Sequence, residues 1–275
     1  MNFMRVSGVS FLYTFLIVLL GSPFYLSAQS GRYKKLVWSD EFNYTGLPDS
    51  TKWGYDKARG CPELCGWGNN EWQYYTWSRK ENARVEGGHL VIEARKEAFG
   101  DAKFTSARLV TRNKGDWKYG RIEVRAQLPD GMGLWPAIWM LPTEKKYGNW
   151  PKSGEIDIAE TVGYTPDSVY QTIHTGAYNG MLGTQKGSLI PVKNIHNSFH
   201  TYSIEWTSES IVFMIDGAAH QVFNSTPENT DKWPFDQVFH LVLNVAVGGD
   251  FGGKKGVDDS VFPRQMKVDY VRVYQ

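Results

Sequence analysis

The sequence predicts an all-β protein built as two stacked antiparallel sheets, a sandwich or jelly roll. Three observations carry that expectation. Short alternating apolar and polar runs recur between clusters of Gly, Pro, Asn and Asp. No segment sustains the period of an amphipathic helix. Roughly twelve or more strands in about 240 residues exceed one open sheet, and two packed sheets with exposed edges and a curved face are the economical alternative.

The runs justify themselves one by one. Residues 89–95, 120–128, 170–177, 201–207, 211–216, 239–247 and 266–274 each read as a strand. In 120–128 the apolar side chains Ile122, Val124, Ala126 and Leu128 fall on every second position, as a strand with one wet face requires. In 239–247 one face is wholly apolar, whereas His240 and Asn244 interrupt the other. Such a strand is buried on one side and faces a polar cleft on the other.

Composition narrows the function. The chain has 275 residues, 41% hydrophobic, with 12 Pro, 28 Gly and 2 Cys, which excludes disordered, collagen-like and disulfide-scaffold classes. Eleven Trp among 15% aromatic residues exceed what core packing needs and suggest a surface for flat-ring stacking. Thirty basic against 29 acidic side chains give no field that draws in nucleic acid or an anionic membrane.

The N-terminus reads as a secretory signal: Arg5, an apolar run over 11–20, Gly21-Ser22-Pro23, and a small residue for cleavage after Ala28. The apolar run is about half the roughly 20 residues that span a bilayer. Residues 1–28 are therefore expected to be removed, leaving 29–275 as one exported domain without a membrane span. In an oxidising compartment Cys61 and Cys65 either close a small loop or remain thiols. His196 and His200 stand four apart without the Glu of a zinc-protease motif, so a catalytic zinc is not expected.

The most informative stretch is Gly154-Glu155-Ile156-Asp157-Ile158-Ala159-Glu160, three carboxylates in an otherwise apolar strand. Glu155 and Asp157 share a face by alternation, but Glu160 joins them only through a one-residue β-bulge. With the bulge, the two Glu lie roughly 13 Å apart at Cα and lean together over Asp157. Retaining glycoside hydrolysis needs two carboxyls about 5 to 5.5 Å apart, within reach of two such side chains. One Glu would be ionised as nucleophile, the other kept protonated by like-charge crowding; strand order does not say which. The competing readings are a charged edge strand and a calcium-binding cluster.

With its flanks this stretch resembles the laminarinase-like branch of glycoside hydrolase family 16, whose hallmark is Glu-x-Asp-x-x-Glu with the bulge. The resemblance runs from about Val37 to Tyr274. It includes Trp38-Ser39-Asp40-Glu41-Phe42, Gly68-Asn69-Asn70-Glu71, Tyr119-Gly120-Arg121-Ile122-Glu123, Leu134-Trp135-Pro136-Ala137-Ile138-Trp139-Met140-Leu141, Thr172-Ile173-His174-Thr175 and Val268-Asp269-Tyr270-Val271-Arg272-Val273-Tyr274.

The resemblance implies a β-jelly roll with a concave glucan cleft, acting as a retaining endo-β-1,3-glucanase on a β-glucan polysaccharide or oligosaccharide. It assigns Glu155 as nucleophile, Asp157 as helper, Glu160 as acid/base and His174 beside the acid/base. It makes Trp135, Trp139 and Trp150 sugar-stacking candidates, with core or loop packing as the competing reading, and gives Asn69 and Arg112 as hydrogen-bonding candidates. No catalytic cofactor is implied; a structural calcium is, with Glu41, Gly87 and Asp269 in the matching places. The segment 58–67 would shape one end of the cleft, and a monomer is expected. A mixed-linkage β-1,3/1,4-glucanase and a non-catalytic β-glucan-binding lectin are the alternatives. Agarase and carrageenase relatives share the bulge.

Overall fold

The fold is described from a computed structural model for residues 32–226 and 228–275. The expected signal segment 1–28 lies outside the described residues. Eighteen strands occur among them. In chain order they begin with β1 (Leu36–Asp40), β2 (Gly54–Asp56), β3 (Gln73–Tyr75), β4 (Ala83–Glu86), β5 (His89–Phe99) and β6 (Ala102–Ser106). There follow β7 (Arg108–Val110), β8 (Asp116–Trp117), β9 (Gly120–Gln127), β10 (Leu134–Pro142), β11 (Glu155–Glu160) and β12 (Ser168–His174). The last six are β13 (Lys186–Pro191), β14 (His200–Trp206), β15 (Ser210–Ile215), β16 (Ala218–Asn224), β17 (Phe239–Val247) and β18 (Arg264–Tyr274). The only helical turns among the described residues are two short 3-10 segments, Cys65–Gly68 and Asp259–Val261.

The strands form the expected two sheets. A ten-stranded sheet runs β16-β15-β14-β9-β18-β5-β6-β3, with β1 paired to β18 and β4 to β5. An eight-stranded sheet runs β13-β12-β11-β10-β17-β7-β2, with β8 paired to β17. All pairings are antiparallel except β3 with β6. Between the sheets lies a core to which Leu90, Ile92, Ile122, Val124, Val268 and Val271 contribute from one side. Leu109, Ile138, Met140, Ile156, Leu241 and Leu243 meet them from the other. Each such side chain taken from water contributes about 1.5–3 kcal/mol.

Alternation sorts the eight-stranded sheet into two faces. In β17, Phe239, Leu241, Leu243, Val245 and Val247 enter the core, and His240 and Asn244 take the opposite face, as the sequence pattern required. In β10, Leu134, Ile138 and Met140 are core residues, so Trp135 and Trp139 lie on the same outer face as Asn244. Core packing is thereby excluded for both tryptophans. That outer face carries the site.

Candidate active site

Strand β11 lies between β10 and β12, and its pairing breaks between Asp157 and Glu160, where a bulge is needed to bring the third carboxylate to the face of the other two. Against β10, Ala137 pairs with Glu160, Ile138 with Ala159 and Trp139 with Asp157, so Ile158 is an extra residue. Against β12 the register likewise shifts between Asp157↔Thr172 and Glu160↔Tyr170. Ile158 and Ala159 consecutively enter the core, both fully buried, and Glu160 returns to the face of Glu155 and Asp157. Two glycines bracket the strand. Gly154 has φ +88°, and a Cβ there would lie 2.9 Å from the Phe235 ring and from Pro234. A Cβ on Gly163 would lie 1.9 Å from the Gly131 carbonyl oxygen. Neither position admits a side chain, which fixes where the strand enters and where the chain leaves it.

The three carboxylates have no arginine or lysine partner among the described residues. Instead, the Trp150 indole N–H donates to Glu155 Oε2 at 2.9 Å and the Trp135 indole N–H to Glu160 Oε1 at 2.8 Å. His174, placed by its register opposite Glu155, sets Nε2 3.3 Å from Asp157 Oδ2 and 3.9 Å from Glu155 Oε1. One ligand-type atom from each of Glu155, Asp157 and His174 falls within 4.8 Å of the others. Burial is the first cause that pushes all three carboxyls above their ordinary values; Asp157 and Glu160 add repulsion at Glu155, and Glu160 adds it at Asp157. Burial and like-charge repulsion thus both favour a shared proton on the group over three negative charges. A cluster that shares protons is suited to work requiring one ionised and one protonated carboxyl.

A second polar network flanks it. The Trp139 indole donates to Asn244 Oδ1 at 2.7 Å, Asn244 Nδ2 donates to the Tyr75 hydroxyl at 3.1 Å, and that hydroxyl donates to Glu71 Oε2 at 3.2 Å. Glu71, 4% exposed, also accepts from Gln73 at 2.6 Å and Asn69 at 3.3 Å. The Arg108 guanidinium lies 4.7 Å from the Trp139 ring centroid and 4.5 Å from that of Trp67. At the other end Phe251 meets Trp135 edge-on at 5.3 Å and Tyr170 at 5.1 Å. Aromatic rings therefore flank the carboxylates on both sides.

The sequence candidates divide accordingly. Trp135, Trp139, Trp150 and His174 gather around Glu155, Asp157 and Glu160, and Asn69 joins through Glu71. Trp150 does more than pack its loop: it is 42% exposed and hydrogen-bonds a carboxylate. Arg112 pairs with Asp56 at 2.7 Å, the carboxylate that also holds Arg108 at 3.0 Å, and Arg108 is the arginine that lies beside the tryptophan. Glu41 is held bidentately by Arg272 at 2.9 and 2.8 Å, and Asp269 by Arg125, while Gly87 lies in the turn between β4 and β5. Cys61 and Cys65 are disulfide-bonded, which settles the open alternative at that pair. His196 and His200 turn to separate partners, the Leu128 carbonyl and Asp216. Sequence reading missed Arg108, Glu71, Tyr75 and Phe251. Glu71 carried a signal, as an acidic residue in the Gly-Asn-Asn-Glu motif followed by the alternation of Gln73 and Tyr75.

A β-sandwich that displays carboxylates on a bulged strand, between indole donors and flat aromatic walls, defines a glycoside hydrolase. The model of the family "Glycosyl hydrolases family 16" matches residues 69–272, and the chain belongs to that family. It is 53% identical over 269 residues to a "Beta-glucanase" of Rhodothermus marinus, covering 94% of this chain and 92% of that protein. Its fold matches the crystal structure of the laminarinase from Rhodothermus marinus with a TM-score of 0.84 at 55% identity, over 88% of this chain and 97% of the other. It also matches SCLam, described as a non-specific endo-beta-1,3(4)-glucanase, with a TM-score of 0.82 at 49% identity, over 88% and 91%.

Proposed function

We propose that the chain is an endo-acting β-1,3-glucanase that hydrolyses internal β-1,3-glucosidic bonds with retention. The observation that carries the reading is the bulge at Ile158, which puts Glu155, Asp157 and Glu160 on one face. In the first step the Glu155 carboxylate attacks the anomeric carbon while Glu160 gives its proton to the departing glycosidic oxygen. Glu160, now ionised, takes a proton from water as that water displaces Glu155 from the glycosyl–enzyme. Each Glu has one indole N–H, from Trp150 at Glu155 and from Trp135 at Glu160, so the donors serve both carboxyls and the division of roles follows the family order along the strand. Asp157 lies between the two and holds a proton or hydrogen bond as charge moves along the strand. Trp135, Trp139 and Trp150 are the stacking surfaces for sugar rings, with Asn69 and Arg108 as polar contacts.

Glu41 and Asp269, with Gly87 the calcium places that the resemblance implies, are oxygen donors of the kind a hard cation takes, and each carboxylate meets a guanidinium, Arg272 and Arg125. No catalytic step is routed through a metal. The functional unit is 29–275, exported after loss of 1–28 and acting as a monomer. Among the described residues no helix is long and apolar enough to cross a membrane. Similarity to SCLam favours one second reading, cleavage of mixed β-1,3/1,4 linkages as well. The glucan-binding lectin reading is disfavoured by the presence of all three carboxylates. Reducing-sugar release from laminarin, lichenan and agarose, measured side by side, tests the proposal: laminarin is expected to be cleaved fastest. Lichenan cleavage at a comparable rate selects the second reading, and inactivity on laminarin overturns the first.

A further inference from the structure

His174 ends β12, and the chain turns back to β13 through residues 175–185. Asn179, 1% exposed, organises that turn. Its amide nitrogen donates to the carbonyls of Thr175 at 3.1 Å and Gly176 at 3.2 Å, and its Oδ1 accepts from the Leu182 N–H at 3.2 Å. The Thr184 N–H donates to the Asn179 carbonyl at 3.0 Å, closing the loop. So held, the Gly180 N–H donates to His174 Nδ1 at 3.3 Å.

An imidazole nitrogen that accepts a hydrogen bond carries no proton, so a neutral His174 with an accepting Nδ1 is protonated on Nε2. Nε2 is the nitrogen that faces Asp157 and Glu155. Asp157 Oδ2 is buried without a hydrogen-bond partner among the described groups, and the His174 Nε2, 3.3 Å away, is the ring nitrogen within its reach; Glu155 is the neighbouring carboxyl that hydrogen-bonds Asp157. With Asp157 ionised, the opposite tautomer would point a nitrogen lone pair at carboxylate lone pairs. The other groups around the ring are Glu160 along the strand and the Trp150 indole, 5.9 Å between centroids.

We propose that Asn179 and the Gly180 N–H are positioning residues that lock His174 in its Nε2–H tautomer, so that it donates to the Asp157–Glu155 pair. The proposal rests on the catalytic reading of β11, and its physical content is separate from that reading. The contact depends on the Gly180 N–H rather than on the missing side chain, because a Cβ there would make only ordinary contact with His174 Cε1 at 3.7 Å.

Long-range 15N–1H correlation NMR on the resting full-length protein near neutral pH tests it directly. The His174 proton is expected on Nε2; a proton on Nδ1, or on both nitrogens, overturns the lock. Gly180→Pro deletes the N–H and is expected to lose the single tautomer. Its kcat on laminarin should fall roughly 10- to 100-fold, with KM changing less than about twofold. Gly180→Ala keeps the N–H and is expected to retain the Nε2–H tautomer. An unchanged tautomer in Gly180→Pro overturns the role of that N–H. Should Gly180→Pro not fold, Asn179→Asp, which keeps the acceptor for Leu182 but loses both amide donations, is read the same way. Because the tautomer is read without substrate, Nε2–H in an inactive enzyme refutes the functional reading alone, and Nδ1–H in an active enzyme refutes the lock alone.

Discussion

The acids of the ten-stranded sheet and the three carboxylates of β11 on the eight-stranded sheet are treated in opposite ways. On the ten-stranded sheet and its edge many acids meet a guanidinium. Arg84 bridges Glu86 at 2.8 Å and Glu93 at 3.0 Å, Arg79 holds Glu97 at 2.6 Å, Arg121 pairs with Glu123, and Arg272 grips Glu41. The Arg79 and Arg272 hydrogen bonds hold Glu97 and Glu41 below the usual carboxylate range. On the eight-stranded sheet Glu155, Asp157 and Glu160 meet only indole N–H groups, an imidazole and each other, and burial pushes them upward. An acid that is paired is finished, a fixed ionised element of the surface. One that is buried and unpaired is pushed toward holding a proton that it can give or take, and that is the condition for acid/base and nucleophilic work.

The comparison breaks first at Glu155. Glu155→Gln is expected to lower kcat on laminarin by about 10⁴-fold or more while oligosaccharide binding persists, since the loss falls on transition-state chemistry rather than on ring stacking. Calorimetric titration beside a rate assay checks both halves, and unchanged hydrolysis refutes the assignment.

Stability should move in opposite directions for one chemical change made on the two faces. A carboxyl whose folded pKa is raised favours the fold at low pH, and that contribution is lost as pH climbs from the unfolded value, about 4.3, through the folded one. Glu155→Gln is therefore expected to raise Tm by a few degrees at neutral pH, with the gain vanishing below about pH 4. Glu97 has the reverse sign: its stabilisation is present above the unfolded value and lost as pH falls through the depressed folded one. Glu97→Gln should cost about 0.5–1 kcal/mol at neutral pH and nothing measurable in acid, a small effect because the pair is partly exposed. Thermal melts of the two variants from acid to neutral pH read both signs at once.

The same contrast explains what the sequence could reveal. Alternation placed Phe239–Val247 to the residue, and it showed that Glu160 could join Glu155 and Asp157 only through a bulge, because a period-2 element makes any extra residue visible; that the bulge is there came from the resemblance. Strand β10 did not announce itself, as Pro136 lies inside it, and β2, β7 and β8 are too short to show a period. Long-range pairings were the least legible. Which of Arg108 and Arg112 reaches Trp139 depends on how β7 packs beside β17, and no local pattern encodes that. Glu41 and Asp269 follow from the resemblance alone, and their guanidinium partners, 231 and 144 residues away along the chain, leave no local trace beside them. The network from Glu71 to Trp139 is distant in the same way, with Asn244 169 residues from Tyr75.

The central claim is that the bulged strand delivers a nucleophile and an acid/base to one anomeric centre. Proton NMR of the first laminarin fragments released, recorded before mutarotation, tests it most directly. Double displacement through Glu155 predicts that the new reducing end appears as the β-anomer. An initial α-anomer would mean a single inverting displacement and would contradict the account.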